Sequence, residues 1–168
     1  TTAALAMGDA LAVALLEKRG FNQEDFAILH PGGRLGKRLV LTVGDVMHVG
    51  DELPQVYEDT LMKEAVVEIT SKRLGVAGVI NRQAELVGVI TDGDLRRALE
   101  RYPDLLERRA GEIMTRNPKS IEVDTLAAQA VQRMEEYAIT SLFVFDKAGE
   151  KIPRGIVHLH DLLKAGVV

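Results

Sequence analysis

The sequence predicts an α+β protein made of two copies of a β-α-β-β-α unit, paired about a pseudo-twofold axis. Three observations lead to this prediction. The sequence repeats itself from residue 43 onward, each copy contains a helix with one apolar face, and each copy ends with a short apolar strand that runs into a second helix. Repeats of this length are supersecondary units that complete a core by pairing. We therefore expect matched clefts between the two copies.

The repeat can be followed along the chain by the number of residues that separate equivalent positions. This sequence offset changes twice, in segments typical of turns, where loops tolerate insertions and deletions. The aligned pairs include Met47 with Met114 at an offset of 67 residues, Val79 with Val144 at 65, and Asp94 with Asp161 at 67 again.

Each copy predicts the same order of elements. The first helix of each copy has apolar residues every four positions, which indicates an amphipathic helix. Apolar strands, "VAGVI" and "SLFVF", follow, and then "VGVI" and "RGIV", which open into helices at about Asp92 and Leu159. Residues 102–109 are expected to link the copies. The periodic apolar residues are Leu61, Ala65 and Ile69 in the first copy and Leu126, Ala130 and Met134 in the second.

The segment before the repeats has a different character. Residues 3–16 are apolar nearly all round and predict a helix that requires burial on every side. A signal peptide or membrane span is disfavoured because a basic N-terminal region is lacking, Asp9 is charged, and the run is too short. We expect residues 1–41 to be the remnant of another domain, followed by repeats at 43–101 and 110–168.

The amino-acid composition argues against several classes of function. The chain is 46% hydrophobic and 27% charged, as expected of a globular protein. A net charge of −4, with three tyrosines, four phenylalanines and no tryptophan, argues against nucleic acid as a partner. The absence of cysteine excludes disulfides and thiolate zinc sites and favours a cytoplasmic location. We expect no metal site, no required cofactor and no membrane partner.

The strand-to-helix junctions carry the candidate ligand-binding residues, Thr91–Asp94 and His158–Asp161. A helix N-terminus offers free N–H groups to a phosphate, and a carboxylate can accept hydrogen bonds from a ribose diol. Arg96 and Arg97 lie in the first turn and could pair with phosphate. For one copy alone, a capping box explains the Thr-x-x-Asp spacing equally well. The second copy favours ligand binding, because its histidine is a poor cap while its aspartate remains in place.

Three further residues are weaker candidates for ligand contact. Glu112 lies in the segment between the repeats and could border a cleft, although its equivalent Asp45 indicates a solvated charge. Asp59 and Thr60 precede a predicted helix, so we expect them to cap it first and to contact a ligand second.

The junctions, "GVITDGDL" and "GIVHLHDL", each behind a "DVM" or "EIM" start, resemble those of tandem cystathionine-β-synthase (CBS) domains over residues 43–166. The family pattern G-h-h-[TS]-x-x-D is met by Gly88, Thr91 and Asp94. The second copy keeps Asp161 but has His158 where the hydroxyl belongs. The resemblance therefore implies a nucleotide-binding module whose two clefts differ.

The whole chain is similar to the C-terminal part of the D-arabinose-5-phosphate isomerases, in which a sugar isomerase (SIS) domain leads into a CBS pair. The segments that carry this resemblance are "TTAALAMGDALAVALLEKRGF", "HPGGRLGKRL", "VGDVMHVGDELP" and "HLHDLLKAGVV". It implies that the parent enzyme interconverts ribulose 5-phosphate and arabinose 5-phosphate toward Kdo, a lipopolysaccharide sugar. It also implies that His30 inherits an active-site role, that paired modules stack as a homodimer or tetramer, and that the ligand is an adenosine nucleotide or the feedback signal CMP-Kdo.

Three hypotheses of function follow. The leading one is a regulatory pair that senses a nucleotide or nucleotide-sugar and tunes an attached isomerase. The second is a structural module that joins subunits without a physiological ligand. The third, that this chain is itself an enzyme using its histidines, is the weakest, because no paired carboxylates or nucleophile accompany His30, His158 and His160. We expect this chain alone to be inactive as an isomerase.

Overall fold

The structure, a computed structural model, describes residues 2–21, 25 and 38–167. Helix α1 (Thr2–Lys18) precedes the repeats, as the sequence predicts, and none of its residues is buried. The burial that its apolar surface requires is therefore absent within the described residues. No helix in this part of the chain combines the length and the apolar character that a membrane crossing requires.

Two four-stranded sheets form the centre of the repeat pair. In each sheet the first two strands pair in parallel and the remaining neighbours are antiparallel. The first sheet has the order β2 (Gln55–Tyr57), β3 (Val76–Ile80), β4 (Leu86–Thr91) and β5 (Thr115–Arg116). The second has the order β6 (Ser120–Glu122), β7 (Ser141–Phe145), β8 (Gly155–His158) and β1 (His48–Val49).

The two repeats exchange their first strands. Strand β1 belongs to the first repeat in sequence, but it pairs with β8 of the second repeat. Strand β5 belongs to the second repeat and pairs with β4 of the first. The short turns before these strands cross over as well, since Val43 donates a hydrogen bond to the Thr125 carbonyl and Ala110 donates one to Thr60, both at 2.8 Å. The expected β-α-β-β-α order is present, and one exchanged strand per repeat is added to it.

Glycine makes each exchange possible. A Cβ on Gly88 of β4 would clash with the Met114 side chain, so only glycine lets the segment containing β5 approach this closely. Gly155 of β8 holds the equivalent position, where a Cβ would lie 2.6 Å from the His48 carbonyl oxygen and 3.0 Å from the Met47 sulfur. The glycines of the two junction motifs therefore bring the exchanged strands beside the ends of β4 and β8.

The helices cover the sheets and build one core for each repeat. Helices α2 (Met62–Lys72) and α5 (Ala127–Tyr137) bury the periodic residues that the sequence singled out, among them Ala65, Ile69, Ala130 and Met134. The remaining helices are α3 (Asp92–Arg101), α4 (Ala110–Ile113) and α6 (Leu159–Lys164). Because Val43 is buried in the second core and Ala110 in the first, each core also contains a residue from the other repeat.

A third apolar cluster joins the two sheets. Its buried members come from both repeats: Val76 on one side, and Phe143, Phe145 and Ile156 on the other. Ile156 and its equivalent Val89 both belong to this cluster. Contact between equivalent positions is what a pseudo-twofold axis requires, so the structure agrees with the predicted pairing of the copies.

Candidate ligand-binding cleft

A cleft of about 810 Å³ lies between the repeats, where β4 runs into α3. The first repeat contributes the end of β4, the first turns of α3, and the turn before β3. The second repeat contributes the loop after β5, the turn before β7, and His158. The polar and charged side chains in its lining are those of Arg73, Thr91, Asp92, Asp94, Arg96, Arg97, Thr115, Asn117, Lys119, Thr140, Ser141 and His158.

Asp94 occupies a fully bonded position in this cleft. Its Oδ2 atom accepts hydrogen bonds from the Thr91 backbone N–H at 2.9 Å and the Thr91 hydroxyl at 2.7 Å, while its own N–H donates to that hydroxyl. The capping box anticipated from the Thr-x-x-Asp spacing is therefore formed. Asp94 Oδ1 accepts from Arg97 at 2.5 Å and from the Thr115 hydroxyl at 3.2 Å.

These bonds keep Asp94 ionised. Burial by itself raises the pKa of Asp94, but the hydrogen bonds from Thr91, Arg97 and Thr115 outweigh burial and lower it. The side chain of Asp94 is 10% exposed, whereas that of Arg97 is 72% exposed. Because the Arg97 end of this ion pair is exposed, water competes with the carboxylate for its N–H groups and weakens its hold on Asp94. Asp94 Oδ1 can thus exchange Arg97 for a ligand hydroxyl while Oδ2 continues to cap α3.

Basic side chains give the cleft a positive character. Arg73, Arg96, Arg97 and Lys119 line it against two carboxylates, those of Asp92 and Asp94. The N-terminus of α3 adds the positive end of the helix dipole, although the N–H groups of Asp92 and Asp94 are already bonded, to the Gly75 carbonyl and the Thr91 hydroxyl. The cleft therefore combines a hydroxyl acceptor with groups suited to an anion.

The second junction is built differently. Asp161 Oδ2 lies 2.9 Å from Nε2 of His48, and Nδ1 of His48 lies 2.8 Å from Oε2 of Glu52. Burial by itself would lower the pKa of His48, but the bonds to Asp161 and Glu52 outweigh burial and raise it. For Asp161, burial acts to raise the pKa, and the bond from His48 lowers it on balance.

His158 corrects one expectation from the sequence. We expected it to be a poor cap, but it is the N-cap of α6, and its Nδ1 accepts a hydrogen bond from the His160 N–H at 3.2 Å. An imidazole nitrogen that accepts a bond carries no proton, so the ring is neutral with its proton on Nε2. Burial, the largest influence, lowers the pKa of His158 and favours this neutral form.

Glu112, Asp59 and Thr60 are not among the side chains that line the cleft. Glu112 accepts hydrogen bonds from the Arg109 N–H and from Arg108, both at 3.1 Å, and so caps α4. The expected cap of α2 by Asp59 or Thr60 is wrong: the N-cap is Leu61 and has no side-chain bond. The Thr60 hydroxyl instead accepts from the Tyr57 N–H at 3.1 Å in the preceding turn. His30 lies outside the described residues.

Sequence reasoning missed the exchanged residues Thr115 and His48, as well as Asn117 and Lys119 in the loop after β5. A signal was available for the first two, since each directly follows the aligned methionine of its repeat. Extending the alignment by one residue would have paired them.

Among the described residues, no group of three or more histidine, aspartate or glutamate side chains is arranged to hold a metal.

The family model of the CBS domain matches residues 43–101 and 110–168, more than half of the chain. The chain therefore belongs to the CBS domain family. It is similar to the arabinose 5-phosphate isomerase KdsD of Pseudomonas aeruginosa, with 49% identity over the whole chain and 51% of that protein. The protein of the same name from Escherichia coli K12 is 45% identical over the whole chain and 50% of its own length. The chain thus spans about half the length of these curated relatives.

Solved structures support the fold assignment. CBSX2, crystallised in complex with AMP, superposes with a TM-score of 0.65 at 26% identity, over 76% of this chain and 96% of CBSX2. The CBS domain pair of protein MJ0100, in complex with 5'-methylthioadenosine and S-adenosyl-L-methionine, has a TM-score of 0.65. It covers 74% of this chain and 94% of its own, but at 22% identity it shows the fold alone.

Proposed function

We propose that this CBS pair is a regulatory module that binds an anionic nucleotide or nucleotide-sugar in the cleft at Asp94. The observation that carries the proposal is the combination, in one cleft, of an ionised carboxylate with an exchangeable oxygen and four basic side chains. A ribose hydroxyl would replace Arg97 at Asp94 Oδ1. The phosphate would lie near the α3 N-terminus and the basic side chains.

The module would regulate an aldose–ketose isomerase in the rest of the protein, interconverting ribulose 5-phosphate and arabinose 5-phosphate. Support comes from whole-chain identities of 45–49% to proteins named arabinose 5-phosphate isomerase. In this proposal His30 belongs to the isomerase active site, where an imidazole can move a proton through an enediol. The CBS pair alone would lack isomerase activity.

Two ligands are the first to test. AMP represents the adenosine nucleotides and is the molecule bound by CBSX2. CMP-Kdo is the activated product of the pathway that the isomerase would start, so it suits feedback control. Its ribose matches Asp94, and its sugar carboxylate has Arg96 or Arg97 as a partner.

Isothermal titration calorimetry tests the proposal with AMP and CMP-Kdo on the wild type and on Asp94→Ala. Losing a carboxylate that binds a ribose should cost about 1.5–3 kcal/mol, roughly ten- to a hundredfold in affinity. Asp161→Ala is the matched control, since it removes the equivalent carboxylate from the other junction. Thermal unfolding confirms that each variant folds. Absence of wild-type binding to both probes would leave a purely structural module as the remaining function.

A structural role has one observation in its favour. All the large apolar side chains of α1 are exposed in the described part of the chain, including Leu5 at 71% and Met7 at 65%. Such a surface is expected to be covered by other protein, either the rest of the proposed isomerase domain or a second copy of the chain. Self-association as a homodimer or tetramer therefore remains a proposal, and it is compatible with ligand sensing.

A further inference from the structure

We infer that the two junctions are not equivalent sites: the repeat pair binds one anionic ligand, at Asp94, and His48 excludes a second from Asp161. This inference rests on the proposed function of the first cleft. Equivalent residues of the two repeats occupy the two junctions, so the differences between them can be examined one position at a time.

The exchanged strand touches the junction carboxylate in both repeats. Thr115 of β5 places its hydroxyl 3.2 Å from Asp94 Oδ1, and His48 of β1 places Nε2 2.9 Å from Asp161 Oδ2. Thr115 and His48 are equivalent at the offset of 67 residues. At Asp94 the contact is thus made by a small hydroxyl, and at Asp161 by a whole imidazole ring.

The His48 ring is held at both ends. Each ring nitrogen lies within hydrogen-bond distance of a carboxylate oxygen, Nδ1 at Glu52 and Nε2 at Asp161. Ionised carboxylates only accept hydrogen bonds, so satisfying both contacts requires the doubly protonated, positively charged ring. A ligand hydroxyl at Asp161 Oδ2 would have to displace the ring from a charge-assisted bond whose two side chains are only 27% and 24% exposed, whereas at Asp94 it displaces Arg97, which is 72% exposed.

The two junctions also differ in the charge of the side chains around them. The loop after the exchanged strand carries Lys119 at the first junction, but Asp51 and Glu52 at the second. The arginine in the first turn of α3, Arg96, is replaced by Leu163 in α6. Arg97 is matched by the basic Lys164, and Asp92 by the uncharged Leu159. The contrast that disfavours an anion at the second junction therefore comes from Asp51, Glu52 and Leu163, and the two carboxylates repel a negative charge.

Exchanging the residues between the junctions tests this inference. The triple variant His48→Thr, Glu52→Lys, His158→Thr gives the second junction the threonines and a loop lysine of the first. Calorimetry with AMP and with CMP-Kdo should find one site per chain in the wild type and two in the variant. Adding Asp94→Ala to the variant should return the number to one.

The reverse exchange, Thr115→His with Lys119→Glu, should weaken wild-type binding at least tenfold without altering Asp94. His160→Thr is the control, because it removes an exposed histidine of α6, the helix that His158 caps. Circular dichroism and thermal unfolding verify that each protein is folded. Because the two exchanges alter different junctions, misfolding of one variant still leaves the other as a test.

The outcomes distinguish the two proposals. A wild type that binds neither probe refutes the proposed function and this inference together. Two wild-type sites, a folded triple variant that still binds one ligand, or a reverse variant with unchanged affinity would refute the inference and leave the proposed function intact.

Discussion

Gly78 and Phe143 occupy the same position in the two repeats and contact each other across the interface between the sheets. A Cβ on Gly78 would lie 2.8 Å from Cε1 of the Phe143 ring. Phe143 is 2% exposed and belongs to the cluster that joins the repeats. The pseudo-twofold axis is thus packed by pairing the smallest residue with one of the largest.

Gly78→Ala should destabilise the protein, because the new methyl group has no space beside the Phe143 ring. Overpacking of this kind costs about 1–3 kcal/mol. The free energy of unfolding, measured by urea denaturation, checks this. In a Phe143→Leu background the same substitution should cost less. Gly8→Ala, at a helical glycine with open space around it, is the control and should not destabilise. An equal loss from Gly78→Ala in both backgrounds would contradict the contact.

The His48–Asp161 pair should make stability depend on pH. The raised pKa of His48 means that its stabilisation is fully present below the unfolded value of about 6.5 and is lost as pH rises through the folded value. The lowered pKa of Asp161 means that its stabilisation is present above about 3.8 and is lost as pH falls through the folded value. The pair should therefore stabilise most between these limits.

The difference in unfolding free energy between wild type and Asp161→Asn measures this effect. We expect it to reach up to about 1 kcal/mol near pH 5.5 and to shrink above neutral pH. Glu52 also acts electrostatically on His48, and His158 and Lys164 act on Asp161; all three are present in both proteins. A difference that stays constant from pH 5 to 9 would refute the ion pair.

Arg96→Ala and Lys119→Ala should each weaken AMP binding, because both side chains line the cleft at Asp94. For exposed charges we expect a loss of about two- to fivefold at low salt. The loss should shrink as salt rises, because at physiological ionic strength exposed charges more than about 8 Å apart are largely screened from each other. Arg116→Ala removes an exposed charge of β5 that does not line the cleft and serves as the control. Equal effects of all three substitutions would point to non-specific charge attraction.

The exposed apolar surface of α1 predicts self-association. Leu11 and Leu15 are 59% and 53% exposed and lie one helical turn apart. Leu11→Glu with Leu15→Glu should shift sedimentation toward smaller species, because the two charges cannot be buried without partners. Lys63→Glu changes a surface charge on α2 and should leave the oligomeric state unchanged. If the wild type sediments as a monomer at all concentrations, the prediction is wrong.

The sequence predicts the long, periodic parts of this fold well. Ala65, Ile69, Ala130 and Met134 are buried as their spacing indicates, and α3 begins at Asp92 as expected. The exchanged strands were not predicted. They contain only two residues each, which is too short for an alternating pattern, and their partners lie far away in sequence.

The candidate site was predicted less completely than the fold. The spacing of Thr91 and Asp94 fits both a cap and a ligand contact; the structure forms the cap through Oδ2, and Oδ1 accepts from Arg97 and Thr115. Thr115 and His48 reach the junctions only because strands are exchanged, so their roles depend on long-range pairing. His158 was misjudged because an imidazole nitrogen can accept a backbone hydrogen bond as a hydroxyl oxygen does.

The strand exchange also limits how this protein can be divided. A single repeat expressed alone would keep Gly88 or Gly155 but would lose the methionine and the exchanged strand that pack against that glycine. Its sheet would expose an unpaired edge, which attracts another chain. Two copies of one repeat could repair each other by donating their first strands. The smallest autonomous folding unit is therefore the pair, whether one chain supplies both halves or two chains supply one each.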